Sequence, residues 1–221
     1  MVAKMFLPMT GQAYYSPTAA AENRQVMEHY RTRNADMLAT IARLTNVPTD
    51  ITMGYMYIES ECGGLDTRPK SPFGAVGDMQ IDSETATDTL VREISRGRMT
   101  EEDAAYCRQY LGSTYDLIVR KKPGHGVISQ KQLMQRPFNV YVATLFLGQL
   151  LDANTENGVV RMDKVLVLYN RGVNSHPQGN NADEIIAWAL KRWPGKKGRI
   201  TAAYVAKLVG RNGLLTTTIN T

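Results

Sequence analysis

The chain has 221 residues, 43% of them hydrophobic and 21% charged, a balance that excludes disordered, collagenous and disulfide-scaffold classes and suits one sizeable domain with an appendage. Its formal net charge is +5, and from Ile185 onward seven lysines and arginines occur without an acid. A polyanion is therefore a candidate partner, and nucleic acid, anionic lipid and an acidic cell wall fit such a field equally, as does a plain solvated basic surface.

The N-terminal stretch MVAKMFLPMTGQAYYS lacks the apolar core of roughly 7 to 15 residues that a secretory signal needs, so export by that route is not expected. Helical periodicity dominates the rest and sustained alternation is scarce, which predicts an all-α chain with at most one short hairpin. A first helix is expected from Ala20 to Leu44, with Val26, Tyr30, Met37, Leu38 and Ile41 near one face. A second starts at the Pro48-Thr49-Asp50 cap, runs to Ser60 and is stopped by Gly63 and Gly64. After a Gly/Pro-rich loop ending at Gly77, a helix opens at Asp82 or Ser83 and ends by Gly97, and Thr100 caps another that reaches Val119. Arg120 to Arg136, with five basic residues and no acid, reads as a surface loop. The helix from Pro137 to Asp152 carries the longest apolar face and is expected at the centre of the core. Its apolar run falls short of the roughly 20 residues that cross a bilayer, so no membrane span is expected. A polar segment with Asn157-Gly158 follows, then helices over Met162–Tyr169, Asn181–Arg192 and Ile200–Leu208.

Two kinds of chemistry lack a motif. His29, His125 and His176 fall in unrelated segments, and Cys62 and Cys107 read as buried thiols, so no metal site is expected. No phosphate-binding glycine pattern is present either, and no cofactor is expected. What stands out is Glu59. The preceding segment Ile51–Ile58 is almost wholly apolar, so its helix is expected to be buried all round, with Glu59 at the rim of the core. Partial desolvation there favours the protonated carboxyl, the form a general acid for glycosidic cleavage needs. Glu61 points roughly 200° away around the helix, so no facing carboxylate pair forms. The alternative is that Glu59 is simply an exposed C-terminal residue.

Two further segments suit a polar ligand. Ser71 to Ile81 combines small residues with the polar Gln80 between apolar neighbours, although alone it could be a turn leading into a helix. Val165 to Gly172 brings an apolar helix to Tyr169 and Asn170, which offer a sugar a stacking face and an amide.

In order, Glu59-Ser60, then Ser71 to Ile81 with Thr85-Ala86, then Pro137, Asn139 and Leu147, then Leu168-Tyr-Asn-Arg-Gly172, then Thr201-Ala-Ala-Tyr204-Val205 resemble the soluble lytic transglycosylases of bacterial cell walls and their phage relatives. The resemblance covers roughly residues 51–90 and 136–210. It departs from the pattern at Asp78, where the family has leucine, at Ala143 for glycine and at Ile200 for glutamate; the spacing from Glu59 to Gly74 is also about three residues longer. It implies an all-α, lysozyme-like (goose-type) domain over residues 49–212 with an inserted helical segment at about 91–135, a helical N-terminal extension over 1–48 and a tail over 213–221. It further implies cleavage of the β-1,4 bond between N-acetylmuramic acid and N-acetylglucosamine in peptidoglycan, with closure of a 1,6-anhydro ring. Glu59 would be the catalytic acid and base, and Ser71, Met79, Gln80, Tyr169, Asn170 and Tyr204 would bind substrate. One carboxylate suffices because the sugar supplies the nucleophile.

The implied setting is a phage virion that delivers the enzyme to the wall in the periplasm, with residues 1–50 available to dock on virion or secretion-apparatus proteins. Two rivals stand beside it. One is a hydrolytic muramidase of the same fold, using water activated by Asp78 or Asp82. The other is a structural ejection or tail component of a phage particle with little catalytic activity. Nucleic-acid binding lacks an aromatic-lined or groove-reading element.

Overall fold

The computed structural model describes residues 4–6, 10–68, 74–120 and 126–215, with side chains from residue 13 onward. Helix accounts for 68% of the chain, which establishes the all-α class. Eleven helices are described: α1 (Pro17–Arg33), α2 (Ala35–Thr45), α3 (Thr49–Ser60), α4 (Ser83–Ser95), α5 (Glu101–Leu111), α6 (Ser113–Val119), α7 (Gln130–Leu133), α8 (Arg136–Ala153), α9 (Met162–Arg171), α10 (Ala182–Arg192) and α11 (Lys196–Val209). Five short strands accompany them: β1 (Lys4–Phe6), β2 (Thr10–Ala13), β3 (Thr155–Glu156), β4 (Val159–Arg161) and β5 (Gly210–Arg211). The chain forms two compact units, a central one of residues 30–148 and a terminal one that joins residues 1–29 to residues 149–221. No helix among the described residues is long and apolar enough to cross a membrane.

In the central unit the apolar helices are buried as their composition dictates. Every residue of α8 from Phe138 to Leu147 is buried, as is every residue of α3 from Ile51 to Tyr57. The polar helices are fixed by their caps. Asp82 accepts from the Thr85 amide at 2.8 Å and so starts α4. Thr100 and Asp103 form a reciprocal capping box at α5, which satisfies two donors that a helix N-terminus leaves open. Asp103 has a second duty: its other carboxylate oxygen accepts from the buried Tyr141 hydroxyl at 3.0 Å, which ties α5 to α8.

Three boundaries differ from the periodicity. The run from Ala20 to Leu44 breaks at Asn34, whose side-chain amide donates to the Tyr30 carbonyl at 2.9 Å and competes with the helical ladder there. Thr100 to Val119 breaks at Gly112, where φ is +54°, a value glycine reaches at little cost. The final helix starts at Lys196, four residues before Ile200, because Gly195 rather than an apolar residue marks its start.

The terminal unit contains what the helical expectation for residues 1–48 omits. β1 runs parallel to β4, and β2 parallel to β5. β3 and β4 form a hairpin around Asn157 and Gly158, both with positive φ, as a type I′ turn requires. α11 packs closely on α10 because Gly198 lacks a side chain: a Cβ there would lie 2.2 Å from the Trp193 carbonyl oxygen. Beyond α11, the amides of Leu214 and Leu215 donate to the Lys207 and Leu208 carbonyls and close its C-terminal end.

The two roles of Asp103 separate in a pair of variants. Thr100→Ala removes a cap and is expected to cost about 1 kcal/mol, whereas Asp103→Ala also removes the carboxylate that the buried Tyr141 hydroxyl donates to and is expected to cost about 2 to 3 kcal/mol. Urea unfolding measures both, and equal losses would remove the α5–α8 tie.

Candidate functional site

The C-terminal end of α3 is built by three neighbours of Glu59. Glu61 takes a left-handed conformation (φ +51°), and so does Cys62 (φ +56°). Their amides donate to the Tyr57 carbonyl at 2.7 Å and the Met56 carbonyl at 3.2 Å, which satisfies two carbonyls at the helix end. The helix thus stops two residues before the glycines, and it does so with side chains in a region that costs non-glycine residues roughly 1 to 2 kcal/mol. Ser60, fully buried, holds this end to the next loop. Its hydroxyl lies 2.9 Å from the Asp78 carbonyl and 3.1 Å from the Met56 carbonyl, and it accepts from the Gly63 amide at 2.9 Å.

The segment from Val76 to Ile81 is a tight turn closed by two backbone hydrogen bonds, at 3.1 and 3.2 Å, between its ends. It is clamped from the far side by Asn139 of α8. The Asn139 amide donates to the Val76 carbonyl and its oxygen accepts from the Met79 amide, each at 2.9 Å. Gly77 makes room for the clamp: with φ +75°, a Cβ there would sit 2.3 Å from the Asn139 amide carbon. Gly77 also donates to the Thr67 carbonyl at 3.0 Å, joining the loop after α3 to the turn.

Glu59 itself is half-buried in the last turn of α3. Its charge is felt by the fully buried Tyr55 one helical turn before it: burial, and after it Glu59, holds the Tyr55 phenol well above the usual tyrosine range. Gln80 is half-buried with φ +45°. Its amide nitrogen folds back on the Gly77 carbonyl at 2.9 Å. Met79 is fully buried, so it anchors the turn through its side chain and its amide and does not present a surface to a ligand. Ser71 and His125 lie outside the described residues.

The two acids weighed as water activators are occupied. Asp78 is buried, receives the Arg136 guanidinium at 2.8 Å and accepts from the Tyr30 hydroxyl at 3.2 Å. Burial and the Asp78 charge push the Tyr30 phenol upward, keeping it a donor, and burial with Asp78 pushes the Cys62 thiol up to about 12. Asp82 is the α4 cap and also accepts from the Thr85 hydroxyl at 2.9 Å. Sequence reasoning did not find Arg136 and Tyr30 as partners of Asp78. A lone aspartate where the resembled family has leucine was the signal that some cation must face it.

The remaining residues belong to the terminal unit. Tyr169 and Asn170 are half-buried at the end of α9, and Tyr204 is buried in α11. The Thr201 hydroxyl links the two helices, lying 3.1 Å from the Asn170 amide oxygen, and it accepts from the Arg171 guanidinium. The structure therefore brings Glu59, Ser60, Met79 and Gln80 together in one unit and Asn170, Arg171 and Thr201 together in the other. Among the described residues, no group of three or more His, Cys, Asp and Glu side chains is arranged to hold a metal.

Family models, curated proteins and solved structures were all compared with the chain, and none matches it.

The Asn139 clamp is testable on its own. Asn139→Ala removes the side-chain acceptor of the buried Met79 amide and one of two donors to the Val76 carbonyl, which keeps the Ile81 amide, and is expected to cost about 1 to 3 kcal/mol. Hydrogen exchange at the Met79 amide should accelerate by more than at amides elsewhere in the central unit. A uniform change across the unit would mean that the turn does not depend on the clamp.

Proposed function

We propose that the chain is a peptidoglycan lytic transglycosylase of lysozyme-like, goose-type fold, with Glu59 as its catalytic acid and base. The observation that carries this reading is the placement of one half-buried carboxylate at the end of a buried helix whose last residue, Ser60, bonds to a turn that carries Gln80 and that Asn139 holds to α8. Left-handed backbone at Glu61 and Cys62, which follow this carboxylate in the chain, and at Gln80 in the turn supports it, since such strain concentrates where function requires it.

In the proposed reaction the protonated Glu59 gives its proton to the glycosidic oxygen as the bond from C1 of the muramoyl residue breaks. The substrate's own N-acetyl oxygen stabilises C1. The Glu59 carboxylate then takes the proton of the C6 hydroxyl while that oxygen bonds to C1, closing the 1,6-anhydro ring and restoring the acid. No water enters and no second carboxylate is needed. Gln80 is the proposed hydrogen-bonding contact beside Glu59, and Tyr169 and Asn170 are read as sugar contacts through a stacking face and an amide. The hydrolytic alternative loses support because Asp78 is neutralised by Arg136 and Asp82 caps α4.

Delivery by a phage particle, with residues 1–50 as the docking segment, is the setting this reading favours. It places the substrate at the bacterial wall and needs no cofactor.

Digestion of purified peptidoglycan tests the proposal. The parent protein is expected to release anhydro-muramoyl fragments, and Glu59→Gln, checked for an unchanged circular dichroism melt, is expected to lose about a hundredfold or more of that rate. Equal turnover by the two proteins would exclude Glu59 from the chemistry, and no release by either would favour the structural phage component.

A further inference from the structure

The corner where α10 meets α11 collects a charge that no ion pair among the described residues balances. Lys191 and Arg192 end α10, and Lys196, Lys197 and Arg199 open α11; all five are exposed. None of them makes an ion pair among the described residues. Gly198 draws the two helices together, since the position its Cβ would take lies 3.1 Å from the Leu190 Cα. The two sets of cations therefore share one corner.

The placement runs against local stability. The first turn of α11 contains no acid and its N-cap makes no side-chain bond, so Lys196, Lys197 and Arg199 stand at the positive end of the helix dipole, where cations are disfavoured. Cations that raise the field at a helix N-terminus make it a stronger attractor for anions.

Apolar groups interrupt the charge. Leu190 is 43% and Ile200 45% exposed, each next to a cation in sequence. Trp193 lies between the helices, edge-on to Trp188 at 5.3 Å and beneath the Arg171 guanidinium at 5.6 Å. Further along the same face of α11, Lys196, Ile200, Ala203 and Lys207 follow at helical spacing. Lys207 lies 5.2 Å from the ring of the exposed Tyr14.

We propose that this corner docks the protein on an anionic lipid surface. Cations alone would suit any polyanion. Exposed aliphatic side chains beside indole rings suit a surface that offers both phosphate and hydrocarbon, the interfacial zone of a bilayer. The cations supply attraction that grows with each Lys or Arg at the surface and weakens with salt. Leu190 and Ile200 supply the shallow insertion. The proposal stands apart from the glycan chemistry assigned to Glu59 and needs no helix to cross the bilayer.

Co-sedimentation of the full chain with vesicles tests it. Binding is expected to vesicles of equimolar phosphatidylglycerol and phosphatidylcholine, to be at least about tenfold weaker to phosphatidylcholine alone, and to decline as salt is added. The triple variant Lys191→Ala, Lys196→Ala, Lys197→Ala is expected to lose about tenfold or more of the affinity for the anionic vesicles. Leu190→Ser with Ile200→Ser is expected to weaken vesicle binding while leaving any binding to a DNA duplex unchanged. Thermal melts of both variants should not fall below that of the parent, because every substituted side chain is exposed and Lys196 and Lys197 stand where the helix dipole disfavours a cation. No binding to anionic vesicles at low salt would overturn the proposal. So would an unaltered vesicle affinity in the Leu190/Ile200 variant together with tighter binding to DNA than to lipid, a result that assigns the corner to nucleic acid. Peptidoglycan cleavage can succeed or fail independently of each of these outcomes.

Discussion

The candidate site depends on one side chain that never reaches it. Asn139, fully buried in α8, uses both ends of its amide to hold the Val76–Ile81 turn. A hydrogen bond made in place of one to water adds little, yet taking the acceptor from a buried amide such as that of Met79 costs about 1 to 3 kcal/mol. The turn is therefore pinned to the most apolar helix of the central unit, and Ser60 pins the end of α3 to the turn. Glu59 stands next to the second pin. Helices set the position of its carboxylate, as the proton transfers proposed for it would require.

The pair of Asp78 and Arg136 adds a different kind of constraint. Its carboxylate is buried whereas the guanidinium is half exposed, so the charge on Asp78 is compensated from the solvent side and by the Tyr30 hydroxyl from within. Removing either donor would leave a buried charge short of partners, and such a loss is more destabilising than the pair is stabilising. The leucine expected here from the resemblance would fill the same space without that obligation. The aspartate gives the loop after α3 a polar floor, directly under Gly63, where a Cβ would lie 2.7 Å from an Arg136 nitrogen and 3.3 Å from an Asp78 oxygen.

Much of the helical frame was legible because its signals are local. Asp82 and Thr100 mark helix starts through side-chain caps that need only three or four residues to be recognised, whereas α3 starts after Pro48 with no side-chain cap bond. The apolar runs of α3 and α8 announce burial by composition alone. Legibility ended where a competing local bond or a remote partner decided the outcome. Asn34 looks like an ordinary polar residue in a long helix until its amide turns onto Tyr30. β1 and β2 are short and pair with segments more than a hundred residues away, so no nearby pattern reveals them. The half-buried position of Glu59 and the turn that carries Gln80 were legible from an apolar helix and a small-residue segment. The Arg136–Asp78–Tyr30 group was not, because it joins three segments that share no motif.

In the proposed reaction a single carboxylate closes a ring within the sugar and water takes no part. Digestion of peptidoglycan in water enriched in oxygen-18, followed by mass spectrometry of the muropeptides, measures this directly. The account predicts fragments ending in anhydro-muramoyl groups that carry no label. Reducing ends bearing the heavy oxygen would contradict it and return the site to hydrolysis.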